Sequence, residues 1–223
     1  MRKPKARIPI PGAQTKFIVG IDEVGRGPLA GPVTVAAVLV PASFPFRVPF
    51  GRTDLRDSKR LSAEKRRAWF TFLKSVPSMR YAVVSMSPRS IDRMNISAAA
   101  NEAATRAFGT LAARYGRAVR NSTVLLDAGL RIDRGILIKY GLLGRTQSLV
   151  KGDERVQAIA FASIIAKVTR DRFMELLDTR YPSYGFAAHK GYGTRAHIRA
   201  IRVHGPCPIH RLTFLRKVGR MKK

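Results

Sequence analysis

Four acidic residues lie where the sequence predicts that a strand ends or a helix begins: Asp22, Glu23, Asp127 and Asp153. Asp22 and Glu23 are adjacent like charges behind an apolar run, and such a pair is tolerated best when a cation lies between the carboxylates. Carboxylate oxygens are hard ligands that suit Mg²⁺ or Mn²⁺. Salt bridges are the alternative for each acid, and Asp153 has a second alternative as the N-cap of the helix that follows.

Divalent ions held by carboxylates support in-line displacement at phosphorus, because one ion activates water and another stabilises the leaving oxygen. The chain also carries 42 Lys and Arg against 14 Asp and Glu, a net charge of +28, which points to a polyanionic partner and most simply to nucleic acid. The residues therefore predict a metal-dependent phosphodiesterase acting on nucleic acid. A non-catalytic basic protein that binds RNA is the alternative, although an acid cluster would weaken phosphate binding unless metals offset it.

The elements that must position the acids form an α/β pattern with a sheet of mixed direction. The apolar runs before Asp22 and after Gly31 predict a hairpin, and its first strand must end at the acid pair because side chains alternate faces along a strand. Glycines in the intervening turn would end that strand. The other predicted strands cover 80–86, 123–127 and 147–150.

Helical spacing predicts four main helices, over 62–76, 97–115, 154–180 and 194–204. Ser62 is a candidate N-cap, Trp69 and Phe72 mark an amphipathic face that packs in the core, and Gly116 is a candidate C′ residue. Alanines in the long helix after residue 154 predict close packing on the sheet. Residues after 204 are predicted to form a basic tail.

The predicted organisation is a flexible basic arm over 1–16, a catalytic α/β domain over 17–180, and a helical extension with a basic tail over 181–223. The single cysteine, Cys207, excludes a disulfide within the chain and fits a reducing compartment, so a cytoplasmic location is expected. No apolar run approaches the roughly 20 residues that span a bilayer, so no membrane partner is expected.

Other motifs are weaker signals of chemistry. Gly25-x-Gly27-x-x-Ala30 loosely matches a dinucleotide fingerprint, but a β-branched strand follows it where that motif requires a helix. The even spacing of His204, Cys207 and His210 is compatible with zinc, yet no fourth ligand lies close by in the sequence and a structural role is favoured. His189 is either a polar loop residue or a group that moves protons or meets a phosphate.

Several motifs resemble the ribonuclease HII family, in the expected order over about residues 17 to 215. They are Asp22-Glu23-Val24-Gly25-Arg26-Gly27, Asp57-Ser58-Lys59, Lys151-Gly152-Asp153, Ala162 to Asp171, Tyr181 to Thr194, and His210-Arg211-Leu212-Thr213-Phe214. The resemblance implies a ribonuclease H-like fold, with a mixed central sheet flanked by helices and a small C-terminal helical extension. It implies an endonuclease of ribonucleotide excision repair that cleaves the RNA strand of RNA–DNA hybrids and single ribonucleotides embedded in duplex DNA, leaving a 3′-hydroxyl and a 5′-phosphate.

The resemblance also implies roles for individual residues. Asp22, Glu23, Asp127 and Asp153 match the family's catalytic metal-binding acids, with Mg²⁺ or Mn²⁺ as the cofactor. The turn Gly25-Arg26-Gly27 matches the segment that senses the ribose 2′-hydroxyl through backbone groups, Lys59 matches a phosphate contact, and Tyr192 matches the aromatic that packs on the adjoining sugar. We expect a monomer. A nuclease of the same fold that acts on DNA alone is the alternative enzyme.

Two positions depart from the family pattern. Asp127 is followed by Ala128, where the family usually has glycine directly after the acid, and Thr213 stands where serine is common. The strong positive charge also predicts binding to nucleic acid that weakens steeply as salt rises.

Overall fold

A five-stranded mixed sheet with helices on both faces forms the centre of the molecule. The computed structural model describes residues 15–44 and 61–218, and its strands are β1 (Phe17–Val24), β2 (Val33–Pro41), β3 (Arg80–Met86), β4 (Ser122–Asp127) and β5 (Thr146–Leu149). Their order across the sheet is β3-β2-β1-β4-β5. β2 runs antiparallel to both β1 and β3, whereas β4 runs parallel to both β1 and β5. The predicted mixed sheet and the predicted hairpin are thus confirmed.

The helices of the described residues follow the strands in the expected order. They are α1 (Ala63–Ser75), α2 (Pro88–Met94), α3 (Ile96–Arg120), α4 (Arg134–Lys139), α5 (Gly152–Arg155), α6 (Gln157–Arg180), α7 (Phe186–His189), α8 (Arg195–His204) and α9 (Leu212–Val218). Short 3₁₀ turns cover Leu143–Arg145 and Pro182–Tyr184. Ser62 caps α1 as predicted, because its side chain accepts a hydrogen bond from the Lys65 backbone N–H. Within the described ranges no helix is both long enough and apolar enough to cross a bilayer.

The register of β1 explains how the acid pair reaches one edge of the sheet. Parallel pairing between β1 and β4 stops at Ile21, opposite Leu126, so Asp22 and Glu23 extend beyond the paired segment. Antiparallel pairing with β2 continues to Val24, and the strand therefore ends one residue later than the sequence predicts. Because parallel strands end at the same edge, the acid pair and the end of β4 meet there.

Hydrophobic side chains cover both faces of the sheet and make the fold a three-layer arrangement. One face packs mainly against α3, whose alanines from Ala99 to Ala107 allow a close approach. The other face packs against α1 and α6. Trp69 and Leu73 of α1 are each 1% exposed, so the predicted aromatic face belongs to the core. The small residues of α6, such as Ala162 and Ala166, are buried as predicted.

Three helix predictions are wrong in detail. The helix predicted to end at Tyr115 continues through Gly116 to Arg120 as α3. Only a local kink, at the non-helical φ and ψ of Tyr115, marks the predicted end. The predicted helix over 154–180 is broken at Val156, whose extended backbone separates α5 from α6. Asp153 lies in the first turn of α5 and is not its N-cap, since the left-handed Lys151 occupies the position before the helix.

The predicted basic tail contains α9. This helix forms because Asp92 of α2 accepts hydrogen bonds from the backbone N–H groups of Leu212 and Thr213, which substitutes for a local cap. The Thr213 hydroxyl also donates to Asp92, so threonine serves here where serine is common. Phe214 packs against the main core. α4 was not predicted. The motif Asp57-Ser58-Lys59, nearly all of the basic arm and the last five residues lie outside the described residues.

The sheet and α6 approach closely at Gly20 in the middle of β1. A Cβ atom there would lie 2.1 Å from the Ala158 carbonyl carbon, so the backbone of α6 leaves no room for a side chain. Gly20→Ala is therefore expected to push α6 away from the sheet and to lower the free energy of unfolding by about 1–3 kcal/mol, the usual cost of overpacking. Chemical denaturation followed by circular dichroism measures this change.

The matched control is Gly144→Ala, because no atom lies within 4 Å of a Cβ built at Gly144. This variant should unfold within about 0.5 kcal/mol of the original protein. Equal destabilisation by both substitutions would contradict the packing argument.

Candidate active site

Three carboxylates meet at the edge of the sheet where β1 and β4 end. Asp22, Glu23 and Asp127 each present a carboxylate oxygen, and these oxygens all lie within 4.8 Å of one another. Among the described residues this is the one cluster of three or more Asp, Glu, His or Cys side chains that could hold a metal ion. It is the cluster that the sequence predicts, apart from Asp153.

Local hydrogen bonds fix the carboxylates of Asp22 and Asp127. The Glu23 backbone N–H donates to Asp22 Oδ1 at 2.8 Å, and the side chain of Ser163 on α6 also hydrogen-bonds to Asp22. Asp127 Oδ1 accepts from the Gly152 backbone N–H at 2.8 Å. Glu23 Oε2 is buried and has no hydrogen-bond partner in the described part of the chain. The cluster thus keeps one buried acceptor atom available for a ligand.

Electrostatics in the cluster oppose the charged form of two of the acids. Burial raises the pKa of Asp22 well above its usual range, and the charges of Glu23 and Asp127 add to this effect. Burial also raises the pKa of Glu23, with a further contribution from Asp127, whereas Arg26 acts in the opposite direction. A positive ion among the carboxylates would relieve this repulsion.

Asp153 is linked to the cluster through its neighbour Gly152 but is not a member of it. It directly follows Gly152, whose backbone N–H holds Asp127, and it is buried with 4% exposure. It does not line the cleft that contains the other three acids. The structure therefore brings together three of the four predicted acids.

The predicted glycine turn and the predicted aromatic line the same cleft as the acids. The full lining is Asp22, Glu23, Val24, Gly25, Arg26, Gly27, Arg66, Asp127, Ser163, Ile164, Lys167 and Tyr192. Gly25 has a φ of +91°, and a Cβ there would lie 2.3 Å from the Arg170 side chain, so both its backbone conformation and its packing require glycine. Tyr192 is 42% exposed, and its Cε1 lies 3.9 Å from the position that a Gly27 Cβ would occupy.

Arg26 spans the two sides of this cleft. Its guanidinium lies 3.5 Å from Glu23 Oε1 and donates to the Ser97 hydroxyl at 3.1 Å. The guanidinium also lies beside Gly129, where a Cβ would be 3.6 Å from Arg26 Nη1. Gly129 has a φ of +93°, so the turn after Asp127 uses the left-handed conformation that glycine allows.

Two buried arginines hold the turn through its backbone carbonyls, a role that was not predicted for either residue. Arg211 donates to the carbonyl oxygens of Gly25, Arg26 and Gly31. Arg170 donates to the carbonyl oxygens of Ala30, Pro32 and Lys190. Because both guanidinium groups are fully buried, their planar forks fix several carbonyls at once.

The two arginines carry charge in an apolar environment. Burial lowers the pKa of Arg211 to about 9, and the nearby charge of Arg170 contributes to the same shift. The carbonyls of the turn point to these charges, whereas the backbone N–H groups of Gly25, Arg26 and Gly27 have no acceptor among the described residues. The turn can therefore present hydrogen-bond donors to a ligand in the cleft.

Basic side chains from the helices complete the cleft, and the sequence analysis assigned none of them a role. Lys167 lies one helical turn after Ser163 on α6, and Arg66 comes from α1. Both lie near Asp171, at 2.8 Å for Lys167 and 4.0 Å for Arg66. The spacing of four residues between Ser163 and Lys167 is the signal that places both on one helix face.

Comparison with known proteins gives a consistent result along the chain. The family model "Ribonuclease HII" matches residues 19–217. The chain is 41% identical to ribonuclease HII of Ruminiclostridium cellulolyticum over 200 residues, which cover 90% of this chain and 70% of the relative. It is 44% identical to ribonuclease HII of Chlorobium chlorochromatii over 206 residues, which cover 92% of each chain.

A solved structure supports the same assignment at the level of the fold. The ribonuclease H2 from Pyrococcus horikoshii OT3 superposes with a TM-score of 0.64 and 27% sequence identity, over 91% of this chain and 96% of that chain. The family-model match over residues 19–217 includes Asp22, Glu23, Asp127, Tyr192 and Arg211. The chain belongs to the ribonuclease HII family of ribonuclease H2-type endoribonucleases.

Proposed function

We propose that the cleft hydrolyses the phosphodiester bond 5′ to a ribonucleotide, both in the RNA strand of RNA–DNA hybrids and at single ribonucleotides embedded in duplex DNA. The observation that carries this proposal is the cluster of Asp22, Glu23 and Asp127 within 4.8 Å, beside a glycine turn in the same cleft. The products would be a 3′-hydroxyl and a 5′-phosphate. Membership of the ribonuclease HII family supports this reaction class.

The acid cluster fits divalent cations. The donor set consists of carboxylate oxygens, which Mg²⁺ and Mn²⁺ prefer, and Glu23 Oε2 is buried without a partner among the described residues. The raised pKa values of Asp22 and Glu23 indicate that a cation would favour their ionised forms. When bound, such ions would supply Lewis acidity for water activation and for charge on the leaving oxygen.

Asp153 is proposed as an additional ligand of this centre. It is buried and follows Gly152, which already contacts Asp127, so a small shift of the short helix α5 would carry its carboxylate toward the cluster. The extended Val156 separates this segment from the long α6. This separation allows the segment to move without displacing α6.

The remaining cleft residues are proposed to bind the substrate. The free N–H groups of the turn Gly25–Gly27 would donate to the ribose 2′-hydroxyl, which is the group that separates RNA from DNA. Tyr192 would pack on the neighbouring sugar. Arg66 and Lys167 would attract the phosphates around the scissile bond, and Lys59, outside the described residues, would add a further phosphate contact.

The active unit is proposed to be a monomer that works in the cytoplasm on nucleic acid. The acids, the turn and Tyr192 all come from one chain, so the cleft needs no residue from a second copy. The single cysteine fits a reducing compartment. The net charge of +28 suits a polyanionic substrate and implies steep salt dependence of binding.

Replacing one acid tests the catalytic proposal. Asp22→Asn keeps the shape of the side chain and removes its charge, so cleavage of duplex DNA with one embedded ribonucleotide should fall by at least about a hundredfold. EDTA should abolish cleavage by the original protein, and added Mg²⁺ or Mn²⁺ should restore it. The assay follows a labelled strand on a denaturing gel.

Glu102→Gln is the matched control, since Glu102 pairs with Arg106 on α3 and lies outside the cleft. It should cleave at the original rate. Equal cleavage of an all-deoxyribose duplex would instead favour the DNA-only nuclease. Tight, salt-sensitive binding without turnover in either metal would favour the non-catalytic RNA-binding protein.

Stability of the metal-free protein tests the electrostatics without any activity. Because the pKa of Asp22 is raised in the folded state, the folded protein binds this proton more tightly than the unfolded chain does. Ionised Asp22 therefore lowers the free energy of unfolding. This loss of stability is largest above the folded pKa, shrinks as the pH falls through it, and vanishes below the unfolded pKa of about 3.9. In EDTA at pH 7, Asp22→Asn should therefore be more stable than the original protein.

Urea denaturation at several pH values measures this difference, which should disappear near pH 4. A metal at a hundred times its Kd should stabilise the original protein by about 2.7 kcal/mol and the variant by less. The electrostatic account would be rejected by a variant that is less stable at pH 7 in EDTA, or by equal metal stabilisation of both proteins.

Arg211 offers a test of how the turn is held. Arg211→Lys keeps the positive charge but loses the planar fork, so fewer carbonyls of the turn are fixed. The preference for an embedded ribonucleotide over a deoxyribonucleotide should decrease by about tenfold. This corresponds to a loss of roughly 1.4 kcal/mol in transition-state stabilisation for the ribonucleotide substrate. Competition between the two duplexes in one reaction measures this preference.

Arg216→Lys on α9 is the control, because Arg216 is exposed to solvent. Circular dichroism should give the same spectrum for both variants. An unchanged ribose preference in a folded Arg211→Lys protein would contradict the positioning role.

A further inference from the structure

Two buried histidines near the cleft have no part in the chemistry described above. His197 on α8 is 0% exposed and His210 is 2% exposed, and their Nε2 atoms lie 3.1 Å apart. A contact between two imidazole nitrogens at this distance is a hydrogen bond only when one ring donates and the other accepts. The pair must therefore have a defined direction.

The outer contacts fix this direction. The Tyr192 carbonyl oxygen lies 2.8 Å from His197 Nδ1, and a carbonyl can only accept, so Nδ1 of His197 carries the proton. His197 Nε2 is then the acceptor, and His210 Nε2–H is the donor. At the far end, the Cys207 backbone N–H donates to His210 Nδ1 at 2.9 Å, which requires that nitrogen to be unprotonated. The Cys207 carbonyl is more distant from it, at 3.2 Å.

The opposite direction is excluded by the same distances. It would place an unprotonated His197 Nδ1 against the Tyr192 carbonyl, so two acceptors would face each other at 2.8 Å. It would also direct a His210 Nδ1 proton at the Cys207 N–H. One chain of donors therefore runs from Cys207 through His210 and His197 to the backbone of Tyr192.

The surroundings keep both rings neutral. Burial lowers the pKa of His197 to about 4, and it also lowers the pKa of His210. The titratable groups packed against the two rings are His189, Tyr184 and Cys207. None of these is a carboxylate that would favour the imidazolium form.

Tyr192 is held on its other side by the same cluster. Its backbone N–H donates to the His189 carbonyl at 2.9 Å, and the His189 ring stacks on His197 with centroids 4.4 Å apart. His189 Nδ1 accepts from the Gly191 N–H, and its Nε2–H donates to the Tyr184 carbonyl. His189 is thus neither a free loop residue nor a group in the cleft.

We propose that His210 and His197 form a neutral hydrogen-bond relay that positions Tyr192 opposite the Gly25–Gly27 turn. Both histidines are positioning residues for the choice of a ribonucleotide, since they touch neither the acids nor the cleft. The relay contacts Tyr192 at its backbone carbonyl. Loss of this hydrogen bond would change the position of the Tyr192 ring in the cleft. This inference rests on the proposed contact between Tyr192 and the substrate sugar.

Two isosteres at position 197 separate positioning from simple loss of histidine. His197→Asn places an amide N–H near the position of Nδ1 and can still donate to Tyr192, whereas His197→Gln places its amide near Nε2 and cannot. On duplex DNA with one embedded ribonucleotide, His197→Gln should lower kcat/KM by about 3- to 10-fold, the range for one lost hydrogen bond. His197→Asn should stay within about twofold of the original protein.

A double variant tests whether the effect passes through Tyr192. In a Tyr192→Ala background, which should itself cleave less efficiently, His197→Gln should cause no further loss. His204→Gln is the matched control, because His204 is an exposed histidine at the end of the same helix and outside the relay. It should leave kcat/KM unchanged.

The relay is overturned if His197→Gln costs the same with and without the Tyr192 ring, or if His197→Asn is as impaired as His197→Gln. It is also overturned if Tyr192→Ala cleaves normally, which would remove the proposed sugar contact as well. Normal His197→Gln activity together with an impaired Tyr192→Ala protein would reject the relay alone.

A spectroscopic readout tests the relay without any substrate. Imidazole ¹⁵N NMR of the original protein at pH 7 should show His197 as the Nδ1–H tautomer and His210 as the Nε2–H tautomer, both neutral. A protonated His197 or His210 at this pH, or the reverse tautomers, would overturn the proposal.

Discussion

Repulsion among three carboxylates is the constraint on which the rest of the site depends. The ends of β1 and β4 bring Asp22, Glu23 and Asp127 within 4.8 Å, and burial makes their charges more costly than they would be in water. A fold that needed only stability would not keep this arrangement, because paired or neutral side chains would pack at lower cost. The cluster is stable as an ionised unit only with a counter-charge, and this requirement links the sheet to metal chemistry.

The C-terminal segment supports the glycine turn beside this centre over a long separation in the chain. Arg211 lies about 185 residues from the carbonyl oxygens of Gly25 and Arg26 that it binds. Ala30 forms an isolated bridge with His210, and the Gly31 N–H donates to the Ile209 carbonyl, so the loop before β2 pairs with the segment just before α9. The turn and Tyr192 are therefore parts of one structural unit.

Local patterns were sufficient to predict the elements that carry the acids. The apolar run before Asp22, the strand that ends at Asp127 and the Ser62 cap are each specified by neighbours in the sequence, and each is confirmed. The position of Asp153 was not predictable in the same way. It lies in the short helix α5, which the extended Val156 separates from α6, and no glycine or proline marks that break.

Residues that act through distant partners were beyond the reach of sequence patterns. Arg211 is one of 42 basic residues, and only the folded chain distinguishes a buried fork on carbonyls from a solvated charge. α9 was missed because its cap, Asp92, comes from another helix about 120 residues earlier. The even spacing of His204, Cys207 and His210 marks this region, yet the hydrogen-bonded pair is His210 and His197, and His197 lies outside that spacing.

Exposed and buried basic side chains have different roles, and this difference explains why a strongly basic protein can keep an acidic centre. Exposed arginines and lysines create a field that attracts phosphates and lowers the cost of the nearby carboxylates. The two most deeply buried cations, Arg170 and Arg211, do not neutralise the acids, because their donors are committed to backbone carbonyls. Had either arginine paired with Glu23, the cluster would have lost its vacant acceptor and the turn would have lost its support. The carboxylates stay available for a metal because these two buried cations are engaged with backbone carbonyls, and because Arg26, at 3.5 Å from Glu23 Oε1, leaves Oε2 without a partner among the described residues.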